Sequence, residues 1–153
     1  MTNENNSPQG NTGDIVNWPM LKVVYRTDPE CISALLPPGI QPGADPHVNI
    51  TIYNFPVPDE PEYGIVTTIN ADYEGVSGEY TLGYGIDQES AIFISQETNG
   101  QPKYPCTTEY YRLGPMVSAR CIHQGYTFVE FKGMSKGPVD PLPEFDQHEW
   151  WIK

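Results

Sequence analysis

Positive charge is scarce in this sequence: its 153 residues carry only eight Lys plus Arg against 20 Asp plus Glu, a formal net charge of −12. No Lys/Arg cluster exists, which argues against a nucleic-acid partner and leaves no long-range steering for an anion. Cysteine is sparse too. Cys31, Cys106 and Cys121 form no CxxC pair and leave an odd one over, which suits reduced or buried thiols better than a disulfide framework. His47, His123 and His148 are scattered without metal-ligand spacing, so no metal site is expected. There is no apolar run long enough for a membrane span and no signal-peptide pattern. The expectation is a cytoplasmic protein with no membrane partner.

What the sequence does have is punctuation. Pro is 16 and Gly is 14 in a chain whose apolar fraction is 38%, a balance that favours many short strands and turns over long helices. The length suits one domain with a real core. Residues 1–14, rich in Asn, Ser, Gly and Pro, are expected to be a mobile tail ahead of a single domain over 15–153.

Along the chain, residues 21–25 read as a first strand. Thr27-Asp28-Pro29-Glu30 then marks a helix start, with the Thr27 hydroxyl as the cap and Glu30 reaching back. Ile32, Leu35 and Leu36 give that helix one apolar face, and Pro37-Pro38-Gly39 stops it. Residues 48–53 alternate apolar and polar, the pattern of a half-buried strand. After a proline-rich loop over 56–61, strands are expected at 65–73 and 79–86. In the second, Tyr80, Leu82, Tyr84 and Ile86 fall on one side, and Glu79, Thr81, Gly83 and Gly85 on the other. Paired glycines on one face mark either a barrel corner or the floor of a pocket. Residues 116–123 and 126–131 form a hairpin about Gln124-Gly125. His148-Glu149-Trp150-Trp151 looks like the start of a strand. The fold class expected is mainly β (β-rich α+β), with one short helix near residues 29–36.

The most informative stretch is Glu97-Thr98-Asn99-Gly100-Gln101-Pro102-Lys103. It follows Ala91-Ile92-Phe93-Ile94, whose apolar, β-branched character reads as a buried strand. Asn99-Gly100 is a turn dipeptide and Pro102 stiffens the backbone before Lys103. Such a lysine is either an ordinary surface residue or an amine directed inward.

Glu97-x-x-Gly100-x-Pro102-Lys103 resembles the lysine loop of the acetoacetate decarboxylase family. The resemblance extends through Val23-Val24-Tyr25-Arg26-Thr27-Asp28, residues 32–38, Gly78-Glu79-Tyr80 on to Asp87, and residues 116–126. It implies an antiparallel barrel or cone, here shortened at the C-terminal side. It also implies a carbon–carbon lyase, decarboxylase-like or aldolase-dehydratase-like, that needs no cofactor and acts on a small-molecule β-keto or other oxo acid. An open barrel edge further implies a homo-oligomer.

In that chemistry Lys103 attacks a ketone carbonyl and loses water to give a protonated imine, an electron sink for C–C cleavage. A lysine with the reference pKa of about 10.4 is neutral in only roughly one molecule in 2,500 at pH 7, so the amine must be activated. Family members often carry a second lysine beside the reactive one; here the neighbour is Tyr104. Glu97 falls at the family's glutamate six residues before the lysine, either a proton handler or a loop anchor. Glu79 and Tyr80 lie on a matching strand but on opposite faces, so at most one lines the cavity, with Glu79 the catalytic and Tyr80 and Tyr84 the substrate-binding candidates. Arg26 is either a substrate contact or a structural ion-pair partner. The family's first arginine falls near Trp18, one catalytic acid near Thr51, and another lies in a divergent loop with Glu62 its nearest candidate. These departures favour an imine-forming lyase of unassigned substrate over acetoacetate itself. The alternatives are a non-catalytic small-molecule-binding barrel and an inactive fragment of the family domain.

Overall fold

The computed structural model of the chain describes residues 19–56, 61–138 and 148–152. The expected tail over 1–14, Trp18 and most of the proline-rich loop lie outside them. Elements follow in the order β1 (Met20–Arg26), α1 (Pro29–Leu35), β2 (Gln41–Pro42), β3 (His47–Phe55), β4 (Glu62–Tyr73), β5 (Val76–Ile86), α2 (Glu89–Asn99), β6 (Lys103–Pro105), β7 (Thr107–Leu113), β8 (Met116–His123), β9 (Tyr126–Met134) and β10 (His148–Trp150). The β-rich α+β class is borne out. Among the described residues the strands form two sheets and no closed barrel.

The larger sheet has the order β1-β3-β4-β5-β10, with β2 on β4 and β6 on β5. Its central pairs are antiparallel, but β6 and β10 both join β5 in parallel, at Tyr84–Ile86 and Gly78–Tyr80. Since β4 holds one edge of β5, these two short strands share the other. The smaller sheet is the antiparallel meander β7-β8-β9. The hairpin expected at Gln124-Gly125 forms there, with φ of 48° and 82° at the two turn residues.

The sheets pack through Ile52, Ile65, Cys106, Ala119 and Cys121, joined by Leu21, Ile50 and Tyr104. Ile52 and Ile65 are fully buried, and each such side chain contributes about 1.5–3 kcal/mol through removal from water. A second cluster, Ile32 with Val48, Ile69, Tyr80 and Leu82, seats α1 on the same face of the large sheet. The cap of α1 is Asp28, whose carboxylate accepts from the Glu30 N–H at 2.9 Å. Thr27 is not the cap; its own N–H donates to the Pro46 carbonyl at 2.9 Å.

Two further expectations are corrected. Residues 91–94 belong to the helix α2, not to a strand. Only Ile92 is buried, against Tyr53 and Ile86, while Phe93 and Ile94 are 57% and 65% exposed. The helix ends at Gly100, left-handed at φ 70°, where the Gly100 N–H returns to the Gln96 carbonyl and the Gln101 N–H to that of Ser95, so the Asn-Gly turn is a helix stop.

The second correction concerns β5. Thr67 pairs with Gly83 but Thr68 with Thr81, leaving Leu82 as an extra residue. This bulge shifts the alternation. Tyr80 and Leu82 therefore turn to the core with α1, whereas Tyr84 and Ile86 share the other face with Glu79 and Thr81. Gly83 and Gly85 are neither barrel corner nor pocket floor. A Cβ on Gly85 would lie 2.7 Å from the Cys106 Cβ and 3.0 Å from the Tyr104 ring, so they let β6 and the small sheet approach closely.

Candidate active site

Cross-strand partners point to the same side of a sheet. The register therefore aligns Lys22 (β1), Thr51 (β3), Val66 (β4), Tyr84 (β5) and Lys103 (β6) in one row on the face opposite the inter-sheet core. The next positions on that face are Asn49, Thr68 and Thr81, followed by Asn70, Glu79 and Glu149. This face is polar where the other is apolar.

It is also concave. β1 and β5 are separated by β3 and β4, which in a flat sheet would set them about 14 Å apart. Yet Lys22 Nζ lies 3.5 Å from Glu79 Oε1, with side-chain exposures of 16% and 14%. Only a sheet curled around this face lets the two side chains meet. α2 closes one end of the hollow by laying Ile92 on Tyr53 and Ile86.

Lys103 opens β6 and is half-buried, its Nζ 6.0 Å from the centroid of the Tyr84 ring. The backbone around it is held by several bonds. Tyr84 N–H donates to the Pro102 carbonyl at 3.0 Å. Gln96 Nε2 donates to the Lys103 carbonyl at 2.6 Å. The Trp151 indole N–H donates to the Asn99 carbonyl at 2.8 Å, tying the segment after β10 to the lysine loop.

Carboxylates and hydroxyls fill the rest of the hollow. Glu79 accepts from the Thr68 hydroxyl as well as pairing with Lys22. Glu149 accepts from both Thr81 and Tyr84 hydroxyls. Glu62 accepts from the Tyr53 hydroxyl at 2.7 Å. Burial first, and then the bond to Glu149, push the Tyr84 phenol well above its ordinary range. Burial and then the charge of Glu62 do the same to Tyr53. Both phenols therefore stay protonated and act as hydrogen-bond donors at neutral pH.

Of the residues singled out in the sequence, Lys103 and Tyr84 are paired on the concave face, and Glu79 lies on the same face further along β5. Tyr80 does not: it packs with Ile32 in the core. Glu97 is exposed on the last turn of α2, and its neighbour Gln96 makes the side-chain bond to the lysine strand. Arg26 is exposed at the end of β1, 3.4 Å from Asp45. Tyr104, next to the lysine, faces the inter-sheet core, so the cation in the row of Lys103 is Lys22. Thr51 and Glu62 both lie on the concave face. Sequence reasoning missed Lys22, Thr81 and Glu149. Alternation within residues 148–151 separates Glu149 from Trp150, but no local signal shows that this strand docks on β5. Among the described residues no group of three His, Cys, Asp or Glu is placed to hold a metal ion.

A family model described as acetoacetate decarboxylase matches residues 2–152. Acetoacetate decarboxylase of Paraburkholderia phytofirmans is 34% identical over 92 residues, 58% of this chain and 35% of that protein. The Streptomyces nogalater acetoacetate decarboxylase is 31% identical over 87 residues, 54% of this chain and 34% of that protein. The matched stretch thus spans about a third of these relatives (35% and 34%). Among solved structures, acetoacetate decarboxylase from Legionella pneumophila superposes with a TM-score of 0.70 at 18% identity, covering 81% of this chain and 50% of that one. The enduracididine biosynthesis enzyme MppR, complexed with the condensation product of pyruvate and imidazole 4-carboxaldehyde, gives a TM-score of 0.67 at 19% identity, covering 81% and 56%. At such identities the structural likeness establishes a shared fold.

Proposed function

The chain belongs to the acetoacetate decarboxylase family, and from that premise we propose that it is a Schiff-base-forming lyase whose Lys103 takes up the carbonyl of a β-keto or other oxo acid. The observation that carries this reading is the place of Lys103 on the concave polar face, in register with Tyr84. A lysine on the opposite face would be packed among Tyr104, Ile65 and Cys106, with no room for a substrate.

The neutral amine adds to the carbonyl, water leaves, and the resulting iminium draws electrons from a bond to its α-carbon. For a β-keto acid that bond breaks to release carbon dioxide and an enamine, which is protonated and hydrolysed. For a 2-oxo acid the iminium instead loses a proton from its α-carbon, and the resulting enamine supports condensation with an aldehyde. That second outcome is supported by the MppR complex, whose bound species is a condensation product of pyruvate. Lys22 is the nearest charge complement on the face for a substrate carboxylate, though Glu79 holds it.

Borohydride reduction in the presence of acetoacetate or pyruvate tests the reading. An adduct of the mass of the reduced imine is expected on the wild-type chain and none on Lys103→Ala. If neither substrate leaves an adduct while either raises the melting temperature, the hollow is a binding site without imine chemistry.

A further inference from the structure

We propose that Glu149 holds and returns the proton exchanged at Lys103, acting through the Tyr84 hydroxyl. The inference rests on the imine-forming reading of Lys103 and adds to it a route by which the amine is deprotonated and the hydroxyl of the carbinolamine is lost.

Position comes first. Tyr84 is the cross-strand partner of Lys103 on the same face, and the ammonium lies over its ring at 6.0 Å. The Tyr84 hydroxyl in turn donates to Glu149, which a second hydroxyl, Thr81, holds from the same strand. Glu149 is exposed to solvent whereas Tyr84 and Lys103 are half-buried. The three groups therefore run from a sheltered amine to a carboxylate in contact with bulk water.

The neighbouring carboxylate cannot serve equally. Glu79, the cross-strand partner of Glu149, is bound by Lys22 and by the Thr68 hydroxyl. Its Oε1 is taken by the Lys22 ammonium and its Oε2 by the Thr68 hydroxyl, so both oxygens are already engaged. Among the described residues no cation pairs with Glu149, and the side chains bonded to it are the hydroxyls of Thr81 and Tyr84, which can pass a proton. Tyr84 is suited to passing one because burial and the Glu149 bond keep its own proton in place at neutral pH.

The proton count closes. With its Nζ turned from the Tyr84 ring to the hydroxyl, the Lys103 ammonium gives one proton to the Tyr84 oxygen as Tyr84 gives its own to Glu149, leaving a neutral amine and a neutral carboxyl group. The amine adds to the carbonyl and, after proton transfer from nitrogen to oxygen, becomes a carbinolamine. Glu149 then returns its proton through Tyr84 to the carbinolamine hydroxyl. That group leaves as water and the iminium forms. One proton has moved out and back, no redox partner is needed, and the carboxylate and phenol are restored. Because Glu149 acts through Tyr84, it is a positioning residue for the proton.

The test measures the rate of adduct formation with pyruvate and cyanoborohydride in the full chain, followed by intact mass. Glu149→Ala is expected to slow adduct formation by on the order of 100-fold, with added formate restoring much of the rate. Glu149→Gln keeps the shape of the strand and is expected to be slow as well. Tyr84→Phe breaks the middle of the relay and should be slow and insensitive to formate. A wild-type rate in Glu149→Gln, or a folded Glu149→Ala that formate does not rescue, overturns the relay while leaving the imine reading standing. A wild-type chain that forms no adduct overturns both.

Discussion

Glu79 and Glu149 are cross-strand partners on two parallel strands, and both carboxylates lie on the concave face that also carries Lys103. Like charges directly opposite in a sheet destabilise it, so the face has to compensate. It does so unequally. Glu79 takes the Lys22 ammonium at 3.5 Å and the Thr68 hydroxyl, whereas Glu149 takes the hydroxyls of Thr81 and Tyr84.

Removing the cation should expose that dependence. With Lys22 and Glu79 only 16% and 14% exposed, Lys22→Met strands a partly buried carboxylate, and a loss of about 3 kcal/mol is expected in urea unfolding. The double variant Lys22→Met/Glu79→Gln should recover more than half of that loss. A double variant as unstable as the single one would show that the cost lies in packing.

Gly78 sets the approach of β10. A Cβ there would fall 2.6 Å from the Trp150 ring and on the His148 carbonyl. Gly78→Val is therefore expected to displace β10, accelerating hydrogen exchange at 148–150, at a global cost of about 1–3 kcal/mol. Adduct formation should slow with it, because Glu149 leaves Tyr84. Protection at 148–150 unchanged from wild type would contradict the docking.

Alkaline titration tests the buried phenols. Burial, followed by the nearby Cys106 and Cys121 thiols, pushes Tyr104 up to about 12, and Tyr53 and Tyr84 are pushed further. A phenol whose folded value is raised keeps its full contribution to stability below the unfolded value of about 10 and loses it as pH climbs toward the folded value. Absorbance of tyrosinate should therefore lag behind that of the denatured chain between pH 10 and 12, and the unfolding free energy should fall over the same range. Tyr104→Phe should flatten part of that fall.

Much of the scaffold was legible because it rests on local rules. The alternation around Val48 to Tyr53 gave β3, Asp28 and Pro29 mark the start of α1, and Gln124-Gly125 turns the last hairpin. Lys103 was singled out only because its loop resembles the lysine loop of a known family. What stayed hidden is non-local. The run Ala91 to Ile94 is β-branched enough to read as a strand, yet its neighbours to Asn99 complete a helix that buries Ile92 with Ala91 partly covered beside it. The Leu82 bulge, visible only in pairing with β4, moves Tyr80 to the core and joins Glu79 and Thr81 to Tyr84. Glu149 enters through a parallel pairing with a strand far away in sequence, and no periodicity within its own segment announces that.

The most direct test is to locate the adduct. After borohydride reduction with pyruvate, proteolysis and mass spectrometry of the peptides bearing Lys22, Lys103, Lys132 and Lys136 should place the reduced imine on Lys103 alone, and the same digest of Lys103→Arg should show none. An adduct on Lys22, or one spread over the exposed lysines at equal yield, would contradict the assignment of Lys103 as the reactive amine.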